Sequence, residues 1–412
     1  MSKTYRWTTS CCAVALLCIA APASTQQRTE PPIARYTIDA GTTSGLAAMG
    51  AAGANPLSIL RGGGGGAMHE LQLRLGSSRA ATGAPSADHF MPSGAGLGKS
   101  VPLVTPVNRP ATPGEPSQQG QLPSGKLYIY WGCGEHAGPG QPLVIDFAKL
   151  ARGQVPPNLF AGAVDLPDDW RVAQSNSTTY GDWPNGKDSK SVPANASLLG
   201  DHRIAGTYSP EIAFKLERDF MPALQPRSAA MASGAYSLTW NALPEATGYY
   251  AWVMGAKDMG RGQASEMVWW ASSATQQFGG GLWDWLSPAA VQKLVAAKTV
   301  MPPSQTSCTV PAEVRERGGE TMMLNLYAYG PESDFAFPPR PAGSKVTWKP
   351  DWIARVRFRS NSMVMLGMPD MGGFGEDDDR AGPGNQPPQQ SAKPKCKGGL
   401  GGIAARAAGL CD

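Results

Sequence analysis

Apolar and polar residues alternate along this chain in runs too short to be helices. His69 to Arg74 does so most cleanly, with Leu71, Leu73 and Leu75 on one side and Gln72 and Arg74 on the other, which predicts one strand within 69–78. Arg35 to Asp39 predicts a shorter one. From residue 125 onward, β-branched and aromatic runs punctuated by Gly, Pro and Asn predict strands over Lys126–Trp131, Pro142–Ala148 and Glu211–Glu217. Further on they predict Tyr236–Asn241, Gly248–Met254, Met267–Ala271, Thr306–Val310, Met322–Tyr329 and Trp352–Arg359. A single helix is well marked: Ser287 suits the N-cap, Pro288 the first helical position, and Val291, Leu294 and Val295 follow at helical spacing. The fold class that follows is mainly β, with two β-sandwich-like modules at 125–230 and 231–366, the second with an inserted helix, and long Gly/Pro-rich flexible segments around them.

Several strands are apolar on both faces. Met267 and Trp269 oppose Val268 and Trp270, and Tyr249, Ala251 and Val253 oppose Tyr250, Trp252 and Met254. Something must cover the second face. The Ser287 helix or the neighbouring module would do so. Alternatively, tryptophans among Trp269, Trp270, Trp283 and Trp285 form an exposed platform for a sugar ring or a protein partner, since flat aromatics offer contact area at little cost in rotamer entropy.

Composition divides the rest of the 412 residues. Residues 24–68 and 79–124 are rich in Gly, Ala, Pro and Ser, and read as a flexible N-terminal segment and a linker on either side of the 69–78 strand. Residues 367–412 read as a disordered Gly/Pro tail with the acidic run Glu376 to Asp379. Residues 1–23 have the form of a secretory signal peptide: Lys3 and Arg6, an apolar run from Cys11 to Ala21, and Ala21-Pro22-Ala23 before Ser24. The expected location is therefore periplasmic or secreted. Removal of that segment lowers the formal charge from +4 to +2 and takes three of seven cysteines with it. Cys133, Cys308, Cys396 and Cys411 remain, and the pairings suggested are Cys133 with Cys308 and Cys396 with Cys411. A nearly neutral chain without a basic stripe is not expected to bind nucleic acid, and no later apolar run is long enough to span a bilayer.

Leu238-Thr-Trp240 followed by Leu243-Pro-Glu-Ala246-Thr-Gly248-Tyr249 resembles the B strand, turn and C strand of a fibronectin type III domain. Leu324, Leu326 and Ala328 resemble its F strand, and Ile353 to Phe358 its G strand. The resemblance covers residues 236–360 and implies a sandwich used for adhesion or scaffolding. The chain as a whole resembles uncharacterised exported proteobacterial proteins that share a YWGCGE-type segment, here Tyr130 to Glu135.

Searches for catalytic motifs return fragments. Ser93 to Ser100 nearly spells a P-loop but lacks its first glycine, and His69-Glu70 begins a zincin pattern in which Leu73 replaces the second histidine. The four histidines, at 69, 89, 136 and 202, are far apart in sequence. Cys133-Gly-Glu135-His136 reads as a disulfide cysteine beside a surface histidine, or as a metal half-site or a nucleophile with its base. Asp165, Asp168 and Asp169 suit a turn or a calcium loop. Met363, Met365, Met368 and Met371 offer thioethers to Cu(I). A glycosidase pair, if present, would come from Glu135, Asp146, Asp165, Asp169, Asp182 or Glu266. The expectation is an exported, non-catalytic binding or envelope-structural protein without a cofactor, engaging a protein or glycan partner in the cell envelope. The alternatives are a carbohydrate-binding or carbohydrate-active protein and a periplasmic copper handler.

Overall fold

The structure is a computed structural model that describes residues 29–51, 66–106, 125–156, 171–257, 266–341 and 346–367. The signal segment, Asp165 to Asp169, Met368, Met371, Cys396 and Cys411 lie outside the described residues. The chain is mainly β. The first strands are β1 (Ala34–Gly45), β2 (Met68–Ser77), β3 (Ala87–Phe90), β4 (Val101–Leu103), β5 (Lys126–Trp131), β6 (Leu143–Asp146), β7 (Thr179–Trp183) and β8 (Gly200–Gly206). They continue as β9 (Ile212–Leu216), β10 (Arg227–Ala230), β11 (Tyr236–Thr239), β12 (Gly248–Lys257), β13 (Glu266–Ala271), β14 (Ser307–Val310), β15 (Met322–Phe337) and β16 (Trp352–Leu366). Among the described residues, four helices punctuate them: α1 (Leu46–Ala51), α2 (Phe147–Leu150), α3 (Pro288–Ala296) and α4 (Ala312–Gly318). None of the described helices is long and apolar enough to cross a membrane.

A nine-stranded sheet, ordered β6-β5-β13-β12-β15-β16-β1-β2-β7, organises the molecule. It takes strands from both sides of residue 230, with β5 parallel to β13 and β1 parallel to β16. Its first face is mainly apolar, with buried hydroxyls at Thr42, Ser44, Ser360 and Ser362. Tyr36, Ile38 and Ala40 of β1, Leu71, Leu73 and Leu75 of β2, Val253 and Trp270 of the middle strands, and Val356 and Phe358 of β16 meet there. Residues of a three-stranded sheet (β10-β11-β14) and a four-stranded sheet (β4-β3-β8-β9) belong to the same core. The second face carries a separate apolar cluster on β5, β6, β12, β13 and β15 only, packed against Leu282, Leu286, Val291 and Leu294. Ser287 caps α3 as expected, accepting from the Ala290 N–H at 3.2 Å.

β1 is twice as long as alternation suggests, because Gly41 to Gly45 pair with Arg359 to Met363 on one side and Gly41 to Thr43 pair with Glu70 to Met68 on the other. Gly41 has a packing role. A Cβ there would approach the Glu70 side chain to 2.5 Å, so glycine leaves room for that carboxylate to lie across the strand. Part of the expected linker 79–124 is also ordered. Met91, Ala95, Leu97, Val101 and Leu103 are buried, and the P-loop-like Ser93 to Ser100 stretch turns through a short 3-10 segment at Gly96, φ 68°, with Ala95 and Leu97 packed inward. Cys133 and Cys308 form a disulfide that joins the end of β5 to β14 of the three-stranded sheet.

Candidate functional site

Four strands bring a charged band onto the second face beyond the apolar cluster. The alternation Arg355-x-Arg357-x-Arg359 on β16 puts three guanidinium groups on one side, because Val356 and Phe358 point into the first-face core. β1 contributes Asp39, β2 contributes Glu70, Gln72 and Arg74, and β15 contributes Glu332 and Asp334 opposite Arg357 and Arg355. Asp39, with a fully buried side chain, accepts from Arg74 at 2.5 Å on one flank and from Arg357 at 2.7 and 3.1 Å on the other. Arg74 also donates to Gln72. Arg359 reaches Glu70 at 2.8 Å, and Arg355 lies 3.3 Å from Glu332 and 3.1 Å from Asp334. Such charge-assisted, partly forked contacts fix planar groups in orientation as well as position.

One flank of the band is strapped down. The segment after β13 runs across it with successive carbonyls captured: Leu282 by the Tyr329 hydroxyl at 2.5 Å, Trp283 by Arg359 and Trp285 by Arg357, both at 2.6 Å. Arg359 also lies 4.1 Å over the Trp285 ring. The other flank is open. The Arg74 and Glu70 side chains are 29% and 34% exposed, beside Asp182 of β7. Burial raises the pKa of Asp182, and Tyr180, which donates to it at 3.3 Å, is lifted to about 12. At Glu332, burial raises the pKa to about 7 against the opposing pull of Arg355, so this carboxyl titrates near neutrality.

The tryptophans expected to offer a platform are mostly interior. Trp270 is fully buried on the first face and donates to the Gly132 carbonyl at 2.8 Å. Trp269 is 5% exposed and stacks on Trp252 at 4.8 Å, with Trp283 half-buried at 5.1 Å from Trp252, and Trp285 lies under Arg359. Trp252 and Trp269 fill the space beneath the strap, to which Trp283 and Trp285 belong. Met363 and Met365 stand half-buried on the second face of β16. Cys133 is in the disulfide, and His136 beside it pairs with Glu313 at 3.1 Å. Of the carboxylates considered for a pair, Asp146 caps α2, Glu266 is tied to Arg317 and Tyr128, and Glu135 is exposed. Among the described carboxylates of that set, Asp182 joins the band.

Two histidines far apart in sequence do meet, on the first face. Tyr36, His89 and His202 form a buried chain of 2.8 and 2.9 Å contacts ending at the Leu198 carbonyl, 2.7 Å away. That carbonyl only accepts, so His202 carries its proton on Nε2. His89 must then donate to His202 Nδ1, and Tyr36 donates to His89. Both imidazoles are neutral in this arrangement, and burial lowers the pKa of each. Among the described residues no three His, Cys, Asp or Glu side chains converge as a metal site.

Alternation predicted the strands of the band but not its function, because each strand supplies one or two charges and only the register assembles them. The repeated arginines at 355, 357 and 359 were the available signal. No protein-family model matches the chain, and no curated protein or solved structure does so either.

Proposed function

We propose that the protein is an exported, non-catalytic binding protein that engages an envelope partner through the open flank of the charged band, around Glu70, Gln72, Arg74 and Asp182. The observation that carries this reading is the unequal cover of the two faces: the first is sealed by two smaller sheets, whereas on the second Glu70 and Arg74 remain a third exposed in a pre-organised polar array. Asp39, Glu70, Glu332 and Asp334 are each engaged by an arginine, an arrangement suited to positioning a polar ligand. The Cys133–Cys308 disulfide supports an oxidising compartment. A fibronectin type III-like reading of residues 236–360 is supported by β11 packing in one core with the adjacent strands β12, β15 and β16, the positions matched to B, C, F and G.

Site-specific photo-cross-linking in the native cell tests the proposal. A photoreactive residue at Gln72 is expected to give a discrete adduct in the envelope fraction that disappears when Arg74→Glu is added. A probe at Lys215, on the outer side of β9, is expected to give none. The same adduct from both positions, or one indifferent to Arg74→Glu, would overturn the assignment.

A further inference from the structure

Methionines are sorted by face at one end of the large sheet. On β12, β13, β15 and β16, second-face positions near the end where β12 and β16 finish include Met254, Met267, Met323, Met363 and Met365, interspersed with Ala256, Trp269 and Asn325. First-face positions over the same span are Val253, Val268, Leu324, Val364 and Leu366, with Met322 the one exception. Val, Ile and Leu suit a packed strand better than methionine does. The preference for thioethers on one side therefore calls for a reason beyond filling space.

Register turns this composition into a constellation. Met254 is directly opposite Met323, and Met323 is directly opposite Met365, so three thioether side chains stand in a row across three adjacent strands. Opposed positions in antiparallel pairs hold Cβ atoms about 4.5–5.5 Å apart. Three rotatable bonds per side chain let the outer two sulfurs close on the central one. Met254 is 44% exposed and Met323 and Met365 are half-buried, so the row opens to solvent. Trp269, opposite Met254 on β13, closes one end of the row with an aromatic side chain, and Met363, two residues before Met365, flanks the other. No imidazole or thiolate stands among the second-face positions of these strands over this span.

We infer that Met254, Met323 and Met365 form a binding site for a soft monovalent cation, Cu(I) or Ag(I), with Met323 as the central ligand. The donor set selects the class: neutral, polarisable thioethers favour soft cations and offer little to Zn²⁺, Mg²⁺ or Ca²⁺. Thioethers also have no proton to release, so the site works where histidine ligands are protonated. This site is independent of the charged band, which lies further along the same face.

The experiment is titration of the full oxidised protein with Ag(I), which needs no reductant and so spares the Cys133–Cys308 bridge. N-ethylmaleimide blocks any remaining thiol beforehand. One equivalent is expected to bind, with affinity unchanged between about pH 7.5 and about pH 5.5, a range over which a histidine site would release metal. Met323→Leu is expected to abolish binding, and Met254→Leu and Met365→Leu each to weaken it. Leucine conserves volume, and unchanged circular dichroism shows that the variants fold. The pair Met368→Leu with Met371→Leu is expected to leave binding intact. Absence of Ag(I) binding by the blocked wild-type protein, retention of it by the triple leucine variant, or its loss only with Met368 and Met371 would overturn the site.

Discussion

The two faces of the nine-stranded sheet are made by the same strands, residue by alternate residue, and they solve opposite problems. The first face is apolar from β1 to β16, and its polar exceptions are closed into short chains such as Tyr36–His89–His202. The second face is apolar only under α3 and the strap. Elsewhere it holds arginines, carboxylates and thioethers, whose positions follow strand register. Burial stabilises one side by excluding water. On the other, geometry is held by paired charges whose removal leaves a partner stranded, and that difference orders the predictions.

The largest effect is expected at Asp39. Its carboxylate is fully buried between Arg74 and Arg357, so Asp39→Ala leaves two guanidinium groups without their shared anion and should cost about 3–5 kcal/mol in urea unfolding. Ile38→Val, one residue away on the first face, removes a methylene from a sealed core and should cost about 0.5–1.5 kcal/mol. Equal losses at the two positions would mean that the faces do not differ in how they are held.

Acid distinguishes them next. His89 and His202 are neutral in the folded chain with lowered pKa, so the unfolded chain takes up protons first as pH falls below the ordinary histidine value. Stability is complete above about pH 6.5 and declines below it, by about 1.4 kcal/mol per pH unit for each histidine. Tyr36, Tyr208 and Asp201 are the other ionisable groups acting on the chain. Asp201 favours the charged form of His202, but burial outweighs it. Urea midpoints measured from pH 7 downward should show this decline, to which the lowered pKa of His69 adds, and His202→Gln should make it shallower.

Glu332 on the second face runs the other way, burial prevailing over the opposing pull of Arg355. Its folded pKa is raised, so its contribution is complete below about pH 4.5 and is lost as pH rises toward about 7. Glu332→Gln should therefore raise stability at neutral pH, leave it unchanged near pH 4.5, and make the acid decline steeper than in the wild-type protein. A variant that follows the wild-type profile would place the protonated carboxyl elsewhere.

These contrasts also mark what could be read from residues alone. The Ser287-Pro288 helix start and the alternation in β2 were legible because a cap and a two-residue period act locally, whereas the even cysteine count suggested a disulfide framework and left three pairings open, of which the 133–308 bridge is formed. β1 beyond Asp39 was not, since Gly41 to Gly45 becomes a strand only between partners some 320 residues away on one side and about 27 on the other. Glu332 was missed for the same reason: its raised pKa depends on Arg355 and Asp334 and on burial that the register creates. The methionines at 363 and 365 drew attention as a sequence cluster, whereas their thioether neighbours Met323 and Met254 come from other strands.

The smallest effect tests whether cover, and not pairing as such, gives the second face its strength. Glu211 and Arg203 on the outer side of the four-stranded sheet form an ion pair at 3.0 Å, almost as short as Asp39 with Arg357. Their side chains are 59% and 45% exposed, so water screens the pair and replaces it readily. Glu211→Ala should change stability by about 0–1 kcal/mol, and it leaves Arg203 stacked 4.1 Å over Phe90. A loss as large as that of Asp39→Ala would mean that contact distance decides the outcome; a small one ties the strength of the band to the burial of Asp39, and so to the register that places β1 between β2 and β16.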